Sequence, residues 1–131
     1  MPFEPASFVA ELIQVILSQF HSSIGGITPP PLPANASFPY ITVNEIRVGE
    51  IESLYGLSGV QQVVMQVNVW DKDFEEASVL RNTIKRYLCS YSGTAGSRVI
   101  QGVNPVVDTT LHDGVRNLHQ SITRVKVTWG S

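Results

Sequence analysis

The stretch Gln62-Val63-Val64-Met65-Gln66-Val67-Asn68-Val69-Trp70 holds the clearest pattern in the chain. Val63, Met65, Val67 and Val69 alternate with Gln62, Gln66 and Asn68, so a two-residue period puts the apolar side chains on one face of a strand and the amides on the other. A strand with one buried and one polar face belongs in an antiparallel sheet covered on a single side. The cover follows at once. Asp73, with Glu76 three residues on, reads as a capping box opening a helix over 74–90. Its buried stripe is Ala77, Leu80, Ile84, Tyr87, Leu88 and Tyr91.

Working outward, Phe8, Leu12, Val15, Ile16 and Phe20 recur at helical steps, which predicts a first helix over 5–20. Pro5 suits its first turn, where a missing N–H costs nothing. Residues 27–37 hold Pro29, Pro30, Pro31 and Pro33 and read as a covering loop or arm rather than a strand. A strand is expected over 38–48, with Ile41 and Val43 on one face and Tyr40, Thr42 and Ile46 on the other. Residues 49–59, with glycine at both ends, read as a connection carrying Glu50, Glu52 and Tyr55. Residues 93–97 read as a flexible turn. Two strands, over 99–111 and 118–129, flank the turn dipeptide Asp113-Gly114. Pro105 marks an edge position or a bulge in the first of them, and Val125, Val127 and Trp129 are expected to face the core. The predicted fold is α+β: an antiparallel sheet with two helices packed on one face, in the order α-β-β-α-β-β.

A length of 131 residues fits one domain spanning 1–131. Hydrophobic residues make up 43% of the chain and charged residues 15%, so a core is affordable while the surface is poor in charge for a monomer. Covered subunit surface explains that scarcity slightly better than polar neutral side chains do. The net charge of −2 argues against a general nucleic-acid binder. A single cysteine, Cys89, excludes a disulfide framework and a multi-cysteine metal site. No signal peptide or membrane span is read, and the expectation is a soluble protein made in a reducing cytoplasm.

The search for chemistry returns little. His21, His112 and His119 lack metal-ligand spacing, although His112 and His119 flank the last turn and are placed to meet across it. Cys89 lies near the end of the second helix, far from any helix N-terminus that would activate it, and reads as an inert thiol. Gly93-Thr94-Ala95-Gly96-Ser97 has the wrong flanking elements for a phosphate loop. Arg81, Lys85 and Arg86 form a basic patch on the second helix, read first as a solvated face balanced by Glu75 and Glu76 and second as a subunit contact or a DNA-facing patch. No catalytic residue, cofactor site or metal site is assigned.

Three passages resemble the phage tail-completion family, which includes tail terminators. Phe38-Pro39-Tyr40-Ile41-Thr42-Val43 resembles its first strand. Gln66-Val67-Asn68-Val69-Trp70, leading to Asp73-Phe74-Glu75-Glu76-Ala77, resembles its central strand and second helix. Asp113-Gly114-Val115-Arg116, leading into residues 121–127, resembles its closing hairpin. The resemblance implies a homo-oligomeric ring, a hexamer, at the head-proximal end of the tail of a long-tailed phage. Its partners would be the tail tube protein and a neck or connector protein, with DNA passing through the lumen without specific binding and no membrane involved. Glu50, Glu52 and Tyr55 are the candidates for a lumen- or partner-facing loop, and Arg81, Lys85 and Arg86 for a subunit contact.

Two other readings compete. A neck or head-closure subunit would bind the portal-side connector instead of the tail tube. A cytoplasmic α+β ligand-binding or enzymatic dimer would need a pocket with convergent polar groups and a two-subunit mass in solution.

Overall fold

The chain runs α1 (Pro5–Phe20), β1 (Gly26–Thr28), β2 (Tyr40–Ser53), β3 (Gly56–Asp71), α2 (Phe74–Cys89), β4 (Gly93–Ala95), β5 (Arg98–Asp113) and β6 (Leu118–Gly130). The structure, a computed structural model, describes residues 5–53, 56–91, 93–95 and 98–130, with side chains over 12–46, 62–91, 100 and 102–128. The strands form one sheet in the order β1-β2-β3-β6-β5-β4.

β3 sits inside the sheet because both its edges are paired, one with β2 and the other with β6. Val63, Met65, Val67 and Val69 are buried and join Ile41 and Val43 of β2 with Val125 and Val127 of β6. Onto this surface α1 brings Leu12, Ile16 and Phe20, and α2 brings Ala77, Ile84 and Leu88. Both helices therefore cover the same face, as the alternation requires. Each of these side chains larger than alanine, fully buried, stabilises the fold by about 1.5–3 kcal/mol. α2 starts at the expected cap: the Glu76 N–H donates to Asp73 Oδ1 at 3.0 Å.

The opposite face carries a polar network rather than a second core. Asn68 is 2% exposed. Its Nδ2 donates to the Thr42 carbonyl (3.1 Å), Thr42 Oγ1 (3.0 Å) and Asn44 Oδ1 (3.3 Å). Its Oδ1 accepts from Gln66 Nε2 (2.7 Å) and Gln120 Nε2 (3.0 Å). Trp70 Nε1 donates to Thr42 Oγ1 at 3.0 Å, and Arg124 Nε donates to Gln66 Oε1 at 2.9 Å. One amide thus ties β2, β3 and β6 in register, since a slip by one residue would carry it into the apolar layer.

Four expectations need correction. The sheet is mixed, because residues 26–28, the last two of them assigned to the proline-rich loop, form β1 parallel to β2 (Gly26↔Tyr40 to Thr28↔Thr42). The chain can lie this close because Gly26 has no Cβ to strike the Tyr40 ring. Residues 49–59 are not an open connection. β2 and β3 stay paired through Gly49↔Gln62 and Glu50↔Gln61 to Ser53↔Gly56, with a shift between Glu50 and Glu52, so the glycines interrupt the side-chain pattern without ending the ladder. Residues 93–95, expected to be a turn, form β4 against Arg98–Ile100. Finally, the last hairpin turns through four residues, 114–117. Asn117, at φ 54°, takes the left-handed position, and Asp113 Oδ1 accepts from the N–H groups of Val115 and Arg116. Pro105 does mark a bulge, in the register shift between Pro105 and Val107.

The network makes a direct prediction. Asn68→Ala leaves the amides of Gln66 and Gln120 without their shared acceptor and should lower unfolding free energy by about 1–3 kcal/mol in urea titrations. An unchanged midpoint would mean that the network is not holding the register.

Candidate functional site

The residues singled out from sequence fall on different parts of the sheet. Glu50 and Glu52 lie in the last part of β2, where the β2–β3 ladder ends at Ser53↔Gly56. Their side chains and Tyr55 lie outside the described residues. The structure does place Glu50 and Glu52 at the end of a long hairpin, remote from the Asp71 end of β3 where α2 begins.

Arg81, Lys85 and Arg86 lie on α2 and do not act as one patch. Lys85 makes an ion pair with Asp108 of β5, and Asp108 Oδ1 also accepts from Thr123 Oγ1 at 2.7 Å. Arg81 reaches the Thr109 carbonyl at 3.4 Å and Asn82 Oδ1 through two nitrogens at 3.0 and 3.2 Å. These two side chains fasten α2 to the β5 side of the sheet, so the balance expected from Glu75 and Glu76 comes instead from across the sheet. Arg86 is exposed in the last turn of α2. Burial pushes the Asp108 carboxyl up. Hydrogen bonds from Lys85 and Thr123 and the charges of Lys85 and Arg81 outweigh that and hold it below its ordinary value.

Two features were not legible as sites beforehand. An open groove of about 500 Å³ runs along the other flank of α2, lined by Ser23, Pro39, Asp71, Glu75, Glu76, Val79, Leu80 and Thr83. Val79 is 65% exposed within it. A valine outside the buried stripe was the available signal. Along β5, Val106, Val107 and Leu111 are also exposed, beside the bulge at Pro105.

His112 and His119 meet as expected, their rings stacked at 4.6 Å between centroids and 28° apart. His119 meets the Phe74 ring at 5.6 Å, and His112 Nε2 contacts Asn117 Oδ1 at 3.3 Å. The pair packs the hairpin against the start of α2. Among the described residues, no group of three or more His, Cys, Asp or Glu side chains could hold a metal. Burial raises the Cys89 thiol above its ordinary pKa, against the smaller opposing pull of Lys85. A thiol so placed is a poor nucleophile at neutral pH.

The sequence profile of the family described as "Tail completion protein gp17" matches residues 20–129, from the end of α1 to the end of β6. The chain belongs to this tail completion protein family. Like the family, this tail completion protein is a structural component of the virion tail and not an enzyme. Its fold is shared with a chain from the "Virion of native gene transfer agent (GTA) particle", at a TM-score of 0.69 and 12% identity, over 99% of this chain and 100% of that one. No curated protein matches the sequence. No helix among the described residues is long and apolar enough to cross a membrane.

In this tail completion protein the Lys85–Asp108 pair gives a pH test with a definite sign. A carboxyl held below its ordinary value of 3.8 contributes stability that is complete above that value and lost as pH falls through the folded-state pKa. Asp108→Asn should cost about 0.5–1 kcal/mol at neutral pH, and the wild-type and variant stability curves should converge in acid. Parallel curves down to the acid transition would contradict the assignment.

Proposed function

We propose that the protein closes into a ring, a hexamer, at the head-proximal end of the phage tail, where it stops tube growth and joins the tail to the neck. The observation that carries the reading is the family match over residues 20–129. The fold supports it physically. Both helices lie on one face of the sheet, and β1 and β4 pair with only short lengths of β2 and β5, so among the described residues much of each outer edge is unpaired and suits a neighbour. A surface with Ile46, Phe74, Val79, Val106, Val107 and Leu111 exposed and only 15% charge in the chain is suited to contacts with other subunits. A contact between two different surfaces of the same chain closes into a ring when its rotation allows.

In this reading the tail tube protein lies on one side of the ring and the neck or connector protein on the other. DNA passes through the lumen without specific binding, consistent with a net charge of −2. The end of the β2–β3 hairpin, with Glu50, Glu52 and Tyr55, faces the lumen or a partner, and its carboxylates keep passing DNA from adhering.

Electron microscopy of the purified protein, alone and mixed with tail tubes, tests the proposal. Closed rings, and rings seated at one end of tubes that no longer elongate, are expected. Persistent monomers in both samples, or binding to the connector with none to the tube, would refute it. For the hairpin, particles assembled with Glu50→Lys and Glu52→Lys together should release DNA more slowly. Normal rings with a normal release rate would remove the lumen assignment.

A further inference from the structure

The two flanks of α2 differ in charge and face opposite margins of the sheet. At 100° per residue, Glu76, Leu80 and Thr83 lie on one flank and Arg81 and Lys85 on the other, with Glu75, Val79 and Arg86 along the crest between them. The contacts agree. The acidic flank forms the groove with Asp71, Ser23 and Pro39, next to β2. The cationic flank is bonded to Asp108 and Thr109 of β5, and Asn82, Lys85 and Arg86 line an open hollow of about 420 Å³ there. Because β2 and β5 are separated by β3 and β6, the two flanks lie toward different margins of the sheet, and Glu75, Val79 and Arg86 share the crest between them.

We infer that the acidic groove beside α2 receives Arg86, on the crest of α2 near its C-terminal end, from the next copy of this chain. The contact deepens the ring reading and rests on it: it specifies which surfaces meet between neighbours. Two carboxylates, from Glu75 and Glu76, share the groove with the exposed Val79, while Asp71 is buried and accepts from the Asp73 N–H. This is a floor for the aliphatic stem of an arginine with acceptors at its rim. Arg86 supplies that side chain. Lys85 and Arg81 hold its helix turn against β5, so little order has to be gained on docking. A head-to-tail contact brings Arg86 of one copy, in the last turn of α2, to Glu75 and Glu76 in the first turn of the next. Strand addition along the same margin is discouraged, because Pro105 lacks an N–H and the register breaks between Pro105 and Val107. Side chains, not backbone, make the joint.

Charge reversal provides the test. One variant carries Glu75→Lys and Glu76→Lys, the other Arg81→Glu and Arg86→Glu, each checked for native circular dichroism and urea midpoint. Each alone should lose the closed ring by more than about tenfold, because like charges then face each other. An equimolar mixture of the two should regain rings with the chains alternating, and one chain carrying all four changes should also form them. If either variant alone closes rings as wild type does, the contact is wrong while the ring reading stands. If the mixture stops at two-subunit species, or stays monomeric while wild type closes, the head-to-tail pairing is overturned. Should either variant fail to fold, the readout passes to Val79→Lys, which keeps both charge sets and sets a cation against the incoming Arg86. It must abolish closure, and closed rings from it overturn the proposal. If wild type forms no ring, the parent reading fails instead, and this inference with it.

Discussion

The organising constraint is the opposed character of the two faces of β3. Val63, Met65, Val67 and Val69 need an apolar layer, and both helices supply it on one side only. Burying those residues fixes which way β2 and β6 must point their own side chains, so Ile41, Val43, Val125 and Val127 complete the same layer. A helix on the other face would have to cover Asn44, Gln66, Gln120 and Arg124, and their desolvation would oppose it. The asymmetry of the whole molecule, helices here and open sheet there, follows from that alternation.

The polar face is more than what remains. Thr42 and Asn68 are almost fully buried within it, and they persist because Asn68 finds partners for both its donors and its acceptor. Apolar packing sets the layer, but valines opposite valines would tolerate a two-residue slip. The amide network does not, because its donors and acceptors match in only one register. At the margins the restraint weakens. The register shifts in β2 between Glu45 and Arg47 and in β5 between Pro105 and Val107 leave Ile46, Val106 and Val107 exposed.

Much of this was legible in the sequence, for a reason specific to each element. α1 and α2 were readable because their apolar residues repeat at helical spacing and Asp73 caps the second. The central strand was readable because its faces differ so sharply. β1 and β4 were not, since three residues are too few for a period and each exists only through the strand it pairs with. The extension of β2 past Gly49 was hidden because a ladder needs backbone partners and not alternating side chains. At the candidate site, the basic residues of α2 were visible but their partner was not. Asp108 lies 23 positions from Lys85, and only the α2-on-β5 packing brings them together. The acidic groove was invisible for the same reason, being assembled from residues near 23, 39, 71 and 75–83.

The packed face and the exposed apolar residues of the other surfaces are the features on which the proposed ring rests. Membership of the tail completion family places the chain in the virion tail. The most direct check is a density map of the intact particle at a resolution that resolves strands, with this fold located in it. The account predicts a single closed layer of the chain between the last tube ring and the neck. Copies repeating along the tube, or a location at the distal tip, would contradict it.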